Sequence, residues 1–238
     1  MRYLNNTFLG NKKNTNSEWF EFGDTEDLFI KNRANQSEDW YYRDLKIEYS
    51  FNSNGHRCNE IDDIDLSNYI LFAGCSHTVG VGLELEKTYP HVVSKKLGGD
   101  YYNLAVGAGG VDSVTYNIIT WVSNIKQPRA IVIQWPDICR FLTSVDGEQF
   151  DMQGLWSSMR EAEEFIVAGD RLGYFSAKSE LFKKMLHSVA KSPLIILDTH
   201  PGNFAGHLDS ARDIIHPGIN CNIAYAKMIC DKLDPLLK

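Results

Sequence analysis

Four short apolar bursts constrain what this chain can fold into: "YILFAG" from Tyr69, "YYNLAV" from Tyr101, "AIVIQW" from Ala130 and "PLIILDT" from Pro193. Each is too short for a helix, and its apolar residues do not alternate with polar ones, so each predicts a strand buried on both faces. The stretches between them have helical spacing. "EKTYPHVVSKKLG" closes on glycine, and "VDSVTYNIITWVSNIK" carries Asp112 or Ser113 near its start. Residues 155–190 are mostly helical with a break at "AGDRLGYF", and "GINCNIAYAKMICDKL" is apolar at Ile223, Ala226, Ile229 and Leu233. Apolar strands alternating with helices predict an α/β fold, a three-layer α/β/α sandwich around a mostly parallel sheet.

The first 66 residues have a different texture. They are polar and rich in aromatics, with a short alternating run in "KIEYSFN" and a turn in "NSNG". We expect residues 1–66 to be an extension of short strands packed on a main domain of residues 67–238. Trp19, Phe20, Trp40, Tyr41 and Tyr42 would form the core of a small extra sheet; a platform for stacking sugar rings is the second reading.

The formal charge of −7, with no basic tract, argues against a phosphate-gripping nucleic-acid binder. No apolar run reaches the roughly 18–20 residues that span a bilayer, and the first residues lack the apolar core of a secretory signal. The five cysteines are odd in number and form no CxxC pair. We expect reduced thiols in a cytoplasmic protein. No His, Cys, Asp or Glu group has metal-ligand spacing, so no metal or other cofactor is implied.

In open parallel sheets, ligands bind beyond the carboxyl ends of the strands. That rule gathers Cys75-Ser76-His77, the cluster Gly107-Ala108-Gly109-Gly110, Trp135-Pro136-Asp137, and Asp198-Thr199-His200. The glycine cluster lacks the last glycine of a dinucleotide fingerprint and follows the second strand, which excludes that reading. A fifth segment, "ARDIIHPG", sets Asp213 three residues before His216, just ahead of the last helix.

In this order the segments resemble the sequence blocks of the SGNH (GDSL) hydrolases, a family of esterases and deacetylases. Gly74-Cys75-Ser76-His77-Thr78 is similar to the family's Gly-Asp-Ser-x-(Thr/Ser), "NLAVGAGG" from Asn103 to its second block, and Asp213-Ile-Ile-His216-Pro217 to its last. The resemblance runs from about Tyr69 to Leu233. It implies Ser76 as nucleophile, His216 as its base and Asp213 orienting the imidazole, with the N–H groups of Ser76 and of Ala108 or Gly109 as oxyanion donors. Gln134, Arg140 and His200 would border the substrate.

There are two departures from the family pattern. Cys75 replaces an aspartate and would only fill the strand end. Gln134-Trp135-Pro136-Asp137 stands where the family has Gly-x-Asn-Asp, and Pro136 has no N–H to give. Losing one such donor costs about 10²–10³ in rate. The implied activity is hydrolysis of a small acyl ester, such as an O-acetylated carbohydrate, through an acyl-enzyme. A weakly active glycan- or protein-binding relative and an acyltransferase using the same serine are the alternatives.

Overall fold

The computed structural model describes residues 13–20, 23–145, 149–154 and 160–238. Its centre is a parallel sheet of β3 (Tyr69–Ala73), β4 (Asp100–Asn103), β5 (Ala130–Gln134) and β8 (Leu194–Leu197), in the order β4-β3-β5-β8. The register runs Ile70 opposite Tyr101 on one side and Ala130 on the other, so β3 and β5 are central.

The two faces follow from the strand period of two. Tyr69, Leu71 and Ala73 of β3, with Ile131 and Ile133 of β5, meet α4 (Val111–Asn124) and α6 (Tyr174–Val189) through Val114, Ile118, Trp121 and Leu186. Ile70, Phe72, Ala130 and Val132 point the other way, onto α3 (Tyr89–Leu97) and α8 (Ile219–Leu233) through Tyr89, Val93, Tyr225, Ala226, Ile229 and Leu233. The result is the three-layer α/β/α arrangement that the apolar bursts predict. One position departs from the expected apolar stripe of α8: Ile223 is 45% exposed, and Cys221 and Tyr225 take the buried face instead.

Two further pairs of strands lie outside this sheet. β1 (Thr15–Ser17) pairs antiparallel with β2 (Tyr49–Phe51), and β6 (Phe141–Val145) with β7 (Gln149–Gln153). The region before Ile61 is not built of strands alone. It holds α1 (Glu26–Asn35), whose N-cap Thr25 accepts the Leu28 N–H at 3.3 Å and whose first turn is acidic at Glu26 and Asp27. Phe20 and Tyr42 are buried, whereas Tyr41 is exposed and donates its hydroxyl to Glu84 at 2.9 Å. Between Arg160 and Val189 there are two helices, α5 (Arg160–Arg171) and α6, with the break at Gly173 in left-handed backbone. Among the described residues, no helix is long and apolar enough to cross a membrane, and all five cysteines are free thiols.

The N-terminal region shares a core with the main sheet's loops. Phe20, Tyr42, Ile47, Tyr49 and Phe51 pack with Val79, Val81, Leu83, Ala105 and Ala211. Arg57 is buried beside them. Its guanidinium donates to the carbonyls of Glu48 (3.1 Å), Val79 (3.3 Å), Gly80 (2.7 Å) and Leu83 (2.8 Å) and lies over the Tyr49 ring at 4.3 Å. It thereby satisfies the carbonyls that end α2 (Ser76–Val79). Arg57→Met would strand them, at about 1–3 kcal/mol for each carbonyl that water does not reach. We expect a loss of about 3 kcal/mol or more in urea unfolding at unchanged m-value. A loss below about 1 kcal/mol would mean that solvent reaches those carbonyls.

Candidate functional site

The carboxyl end of β3 turns sharply into α2. Gly74 permits the turn: a Cβ there would stand 2.1 Å from Thr78 Oγ1 and 3.1 Å from the Gln134 carbonyl. Cys75 is the N-cap residue of α2, and its buried thiol donates to Gln134 Oε1 at 3.1 Å. Thr78 Oγ1 is paired with the Tyr89 hydroxyl at 2.7 Å. Cys75 and Thr78 are thus committed to the core, and Ser76 between them is only partly buried.

A second loop brings His216 to Ser76. Ser210 and Pro217 pair across it, and the Ala211 N–H donates to the His216 carbonyl at 2.9 Å. Asp209 fixes the loop to α8 by accepting from the N–H groups of Asn220 (2.8 Å) and Cys221 (3.0 Å). Asp213 is buried; its Oδ1 accepts from the backbone N–H of Ile215 (3.1 Å) and His216 (3.0 Å), and its Oδ2 bonds His216 Nδ1. His216 Nε2 lies 2.8 Å from Ser76 Oγ, across 140 residues of sequence. A carboxylate on Nδ1 selects the tautomer with its proton there, leaving the Nε2 lone pair for the serine hydroxyl. Ile214, within this loop, has φ of 65°, a left-handed conformation that costs a β-branched residue about 1–2 kcal/mol.

The loop after β4 abuts the same turn. Val106 N–H donates to the Gly74 carbonyl at 3.2 Å, and a Cβ on Gly109 would come within 3.3 Å of that carbonyl. Among the described residues, no acceptor takes the N–H of Ser76 or of Ala108. Gly109 differs from its expectation as a donor, because its N–H is given to the Val106 carbonyl at 2.9 Å. Asn103 braces the loops, donating to the Thr78 carbonyl (2.9 Å) and accepting from Ala105 N–H (3.1 Å).

Of the three residues expected to border a substrate, Gln134 does not. It is buried, and its amide is engaged by Cys75 and by the Trp135 carbonyl at 2.7 Å. Arg140 reaches the Gly109 carbonyl at 3.1 Å, bracing the glycine loop from the side. His200 caps α7 (Pro201–Ala205), its Nδ1 accepting from Asn203 N–H at 3.3 Å. Asp198 faces away to Lys183 at 2.7 Å. Neither Asp24 nor Arg212 was marked by a motif, yet both are buried and paired directly behind Asp213.

His77 ends up between two other imidazoles. Its ring is 5.1 Å from His216, edge to face, and stacked at 4.5 Å on His200. Burial, followed by the like charges of neighbouring His216 and His200, holds the His77 pKa well below the ordinary histidine value, and burial first also lowers His200. A histidine with a depressed folded pKa takes up its proton first in the unfolded chain. Its contribution to stability is therefore fully present above about pH 6.5 and is lost as pH falls from there toward the folded value. Urea midpoints at pH 7.5 and 5.5 are expected to drop less in His77→Gln than in wild type. An equal drop would place the acid sensitivity elsewhere.

Among the described residues, no group of three or more His, Cys, Asp or Glu could hold a metal ion. No protein-family model matches the chain, and no curated protein matches it. Solved structures similar to it include an acetyl xylan esterase, Est2A, from the rumen bacterium Butyrivibrio proteoclasticus (18% identity, 71% of this chain and 64% of that one, TM-score 0.40). Another is a carbohydrate esterase family 2 enzyme with a carbohydrate binding domain from Corynascus thermopiles (15%, 78% and 70%, TM-score 0.40). A third is a member of the lipolytic protein G-D-S-L family from Veillonella parvula (14%, 71% and 97%, TM-score 0.37). This chain thus spans 64% of the length of the first.

Proposed function

We propose that the chain is a serine ester hydrolase with Ser76 as nucleophile, His216 as general base and Asp213 orienting it. The observation that carries this reading is the continuous chain from Ser76 Oγ to His216 Nε2 at 2.8 Å, and from His216 Nδ1 to the buried Asp213 carboxylate. A serine hydroxyl is a weak nucleophile until a neighbour takes its proton, and this order of groups supplies that neighbour.

The steps follow from the geometry. Oγ forms a bond to the acyl carbon while its proton passes to His216 Nε2, and the carbonyl oxygen gains the electron pair. The unclaimed N–H groups of Ser76 and Ala108 are the donors we assign to that oxygen. Collapse expels the alcohol, which takes the proton from His216. Water, deprotonated in turn by His216, attacks the acyl-enzyme and releases the acid and the free serine.

The substrate we favour is a small acyl ester, including O-acetyl groups on carbohydrate. One observation favours a second reading, a weak or inert binding relative: Pro136 offers no N–H and Gln134 is engaged in the core, so neither adds a third donor to the two backbone N–H groups.

Hydrolysis of p-nitrophenyl acetate is expected to fall at least about 10³-fold in Ser76→Ala, since removing any member of such a unit forfeits most of its effect. A fluorophosphonate probe should modify Ser76 and leave buried Cys75 unlabelled. Equal rates in wild type and Ser76→Ala would end the proposal, and an adduct on Cys75 would reassign the nucleophile. Because His216 must be neutral to take the proton, activity should rise with pH along the limb where its imidazole deprotonates. A profile flat from pH 5 to 8 with chemistry rate-limiting would remove His216 from its role.

A further inference from the structure

We infer that Asp24, Arg212 and Tyr49 form a positioning device, through which the N-terminal region holds Asp213 and His216 in register with Ser76 against the backbone strain at Ile214. The inference rests on the reading of Ser76, His216 and Asp213 as a catalytic unit, and it gives residues before Ile61 a part in the chemistry.

Arg212 immediately precedes Asp213, and its side chain runs into the N-terminal region. Nε is 3.0 and 3.1 Å from the two Asp24 carboxylate oxygens, and Nη2 donates to Asp24 Oδ2 (2.8 Å) and the Glu18 carbonyl (2.7 Å). The guanidinium lies over the Trp19 ring at 4.4 Å. The backbone of Arg212 is held as well: its N–H donates to the Gly82 carbonyl at 3.0 Å, and its carbonyl accepts from Asn32 Nδ2 at 3.4 Å. Arg212 and Asp24 are both buried.

The arrangement closes a circuit. Gly82 follows α2, the element that begins with Ser76, and its N–H donates to the Tyr49 hydroxyl at 2.7 Å. That hydroxyl donates in turn to Asp24 Oδ2. One carboxylate therefore ties the loop behind the serine to the residue in front of Asp213. Two glycines keep the packing close: a Cβ on Gly82 would meet Arg212 N at 3.1 Å and Asp213 Oδ1 at 3.2 Å, and one on Gly23 would meet Asp213 Oδ2 at 3.3 Å.

A buried ion pair is poor evidence for stability, because desolvation offsets much of its attraction. Its value is directional: a guanidinium donates to a carboxylate only in a narrow set of orientations. A non-glycine residue in left-handed backbone persists only where its surroundings over-determine it, and here the fixed points on either side of Ile214 are Arg212 and the Asp213–His216 contact. Loosening Arg212 lets Ile214 relax and moves the imidazole off the serine.

The test uses the full chain and the variants Asp24→Asn and Arg212→Lys, with Tyr49→Phe as the milder change should either fail to fold. Each is expected to lower kcat about 10–100-fold (Tyr49→Phe less) at nearly unchanged KM, the scale for a misplacement of about 1 Å. Ile214→Gly, placed in the Asp24→Asn or Tyr49→Phe background, should recover most of the loss, since glycine adopts that backbone without strain. It should change little in the wild-type background. A pair that merely stabilised the fold would not be rescued at Ile214.

A second readout does not need turnover: the downfield imidazole proton resonance of His216 Nδ1–H should broaden or vanish in the variants and return with glycine at 214. Wild-type kcat in Asp24→Asn, or loss without recovery in the double variant, overturns the positioning role. A wild type that neither turns over nor reacts with the phosphonate, but whose resonance follows this pattern, would uphold the positioning and reject the esterase.

Discussion

Burying β3 on both of its faces is the constraint from which the rest of the molecule follows. Ile70 and Phe72 need cover on one side, Leu71 and Ala73 on the other. One helical layer cannot supply both, so the chain must cross the sheet between strands and return each time in the parallel sense. The crossings leave the carboxyl ends of β3, β4 and β5 side by side. A serine placed two residues after Gly74 then meets the glycine loop after β4 without special provision. In this sense the site is a by-product of two-sided burial, and only His216 has to be delivered from elsewhere.

Two buried arginines tie together the loops around the site, and neither is placed as a surface charge would be. Arg57 has four backbone carbonyls around its guanidinium, and it ties off the short helix that starts at Ser76. Arg212 is matched by the single buried carboxylate of Asp24. Both have partners in the N-terminal region, which is therefore woven through the main sheet's loops by polar contacts as well as by the aromatic core around Phe20 and Tyr49. We propose that residues 1–66 act as an extension of the main domain in this structural sense.

The apolar bursts at Tyr69, Ala130 and Leu194 were legible because a strand covered by helices on its two faces leaves a local mark, a short apolar run without polar alternation; β8, at the sheet edge, is buried only at Leu197. That Ser76, Asp213 and His216 lie together was legible only from the order of the blocks they resemble, since Asp213 and His216 sit before the last helix and not at a strand end. What escaped was non-local or masked by other signals. The acidic start of α1 after Thr25 was submerged in the aromatic run around it. The pairing of β6 with β7 joins two mixed polar and apolar runs, which a search for apolar bursts passes over. That Gly109 spends its N–H on Val106, and Gln134 its amide on Cys75 and Trp135, depends on loop closure that no spacing rule encodes. The pairing of Asp24 with Arg212 spans 188 residues and has no motif at all.

The strand order also leaves two margins, and they are finished differently. Along β4, Tyr102 is met by Asn52 Nδ2 at 3.0 Å and His56 Nδ1 at 3.2 Å, so the N-terminal region screens that side with side chains. Among the described residues β8 pairs with no strand beyond β5, but it is four residues long and follows Pro193. A stretch so short, entered through a residue without an amide hydrogen, gives a neighbouring molecule little backbone to extend. The open flank is thereby blunted against fibril-like stacking by its brevity and by the proline at its entry.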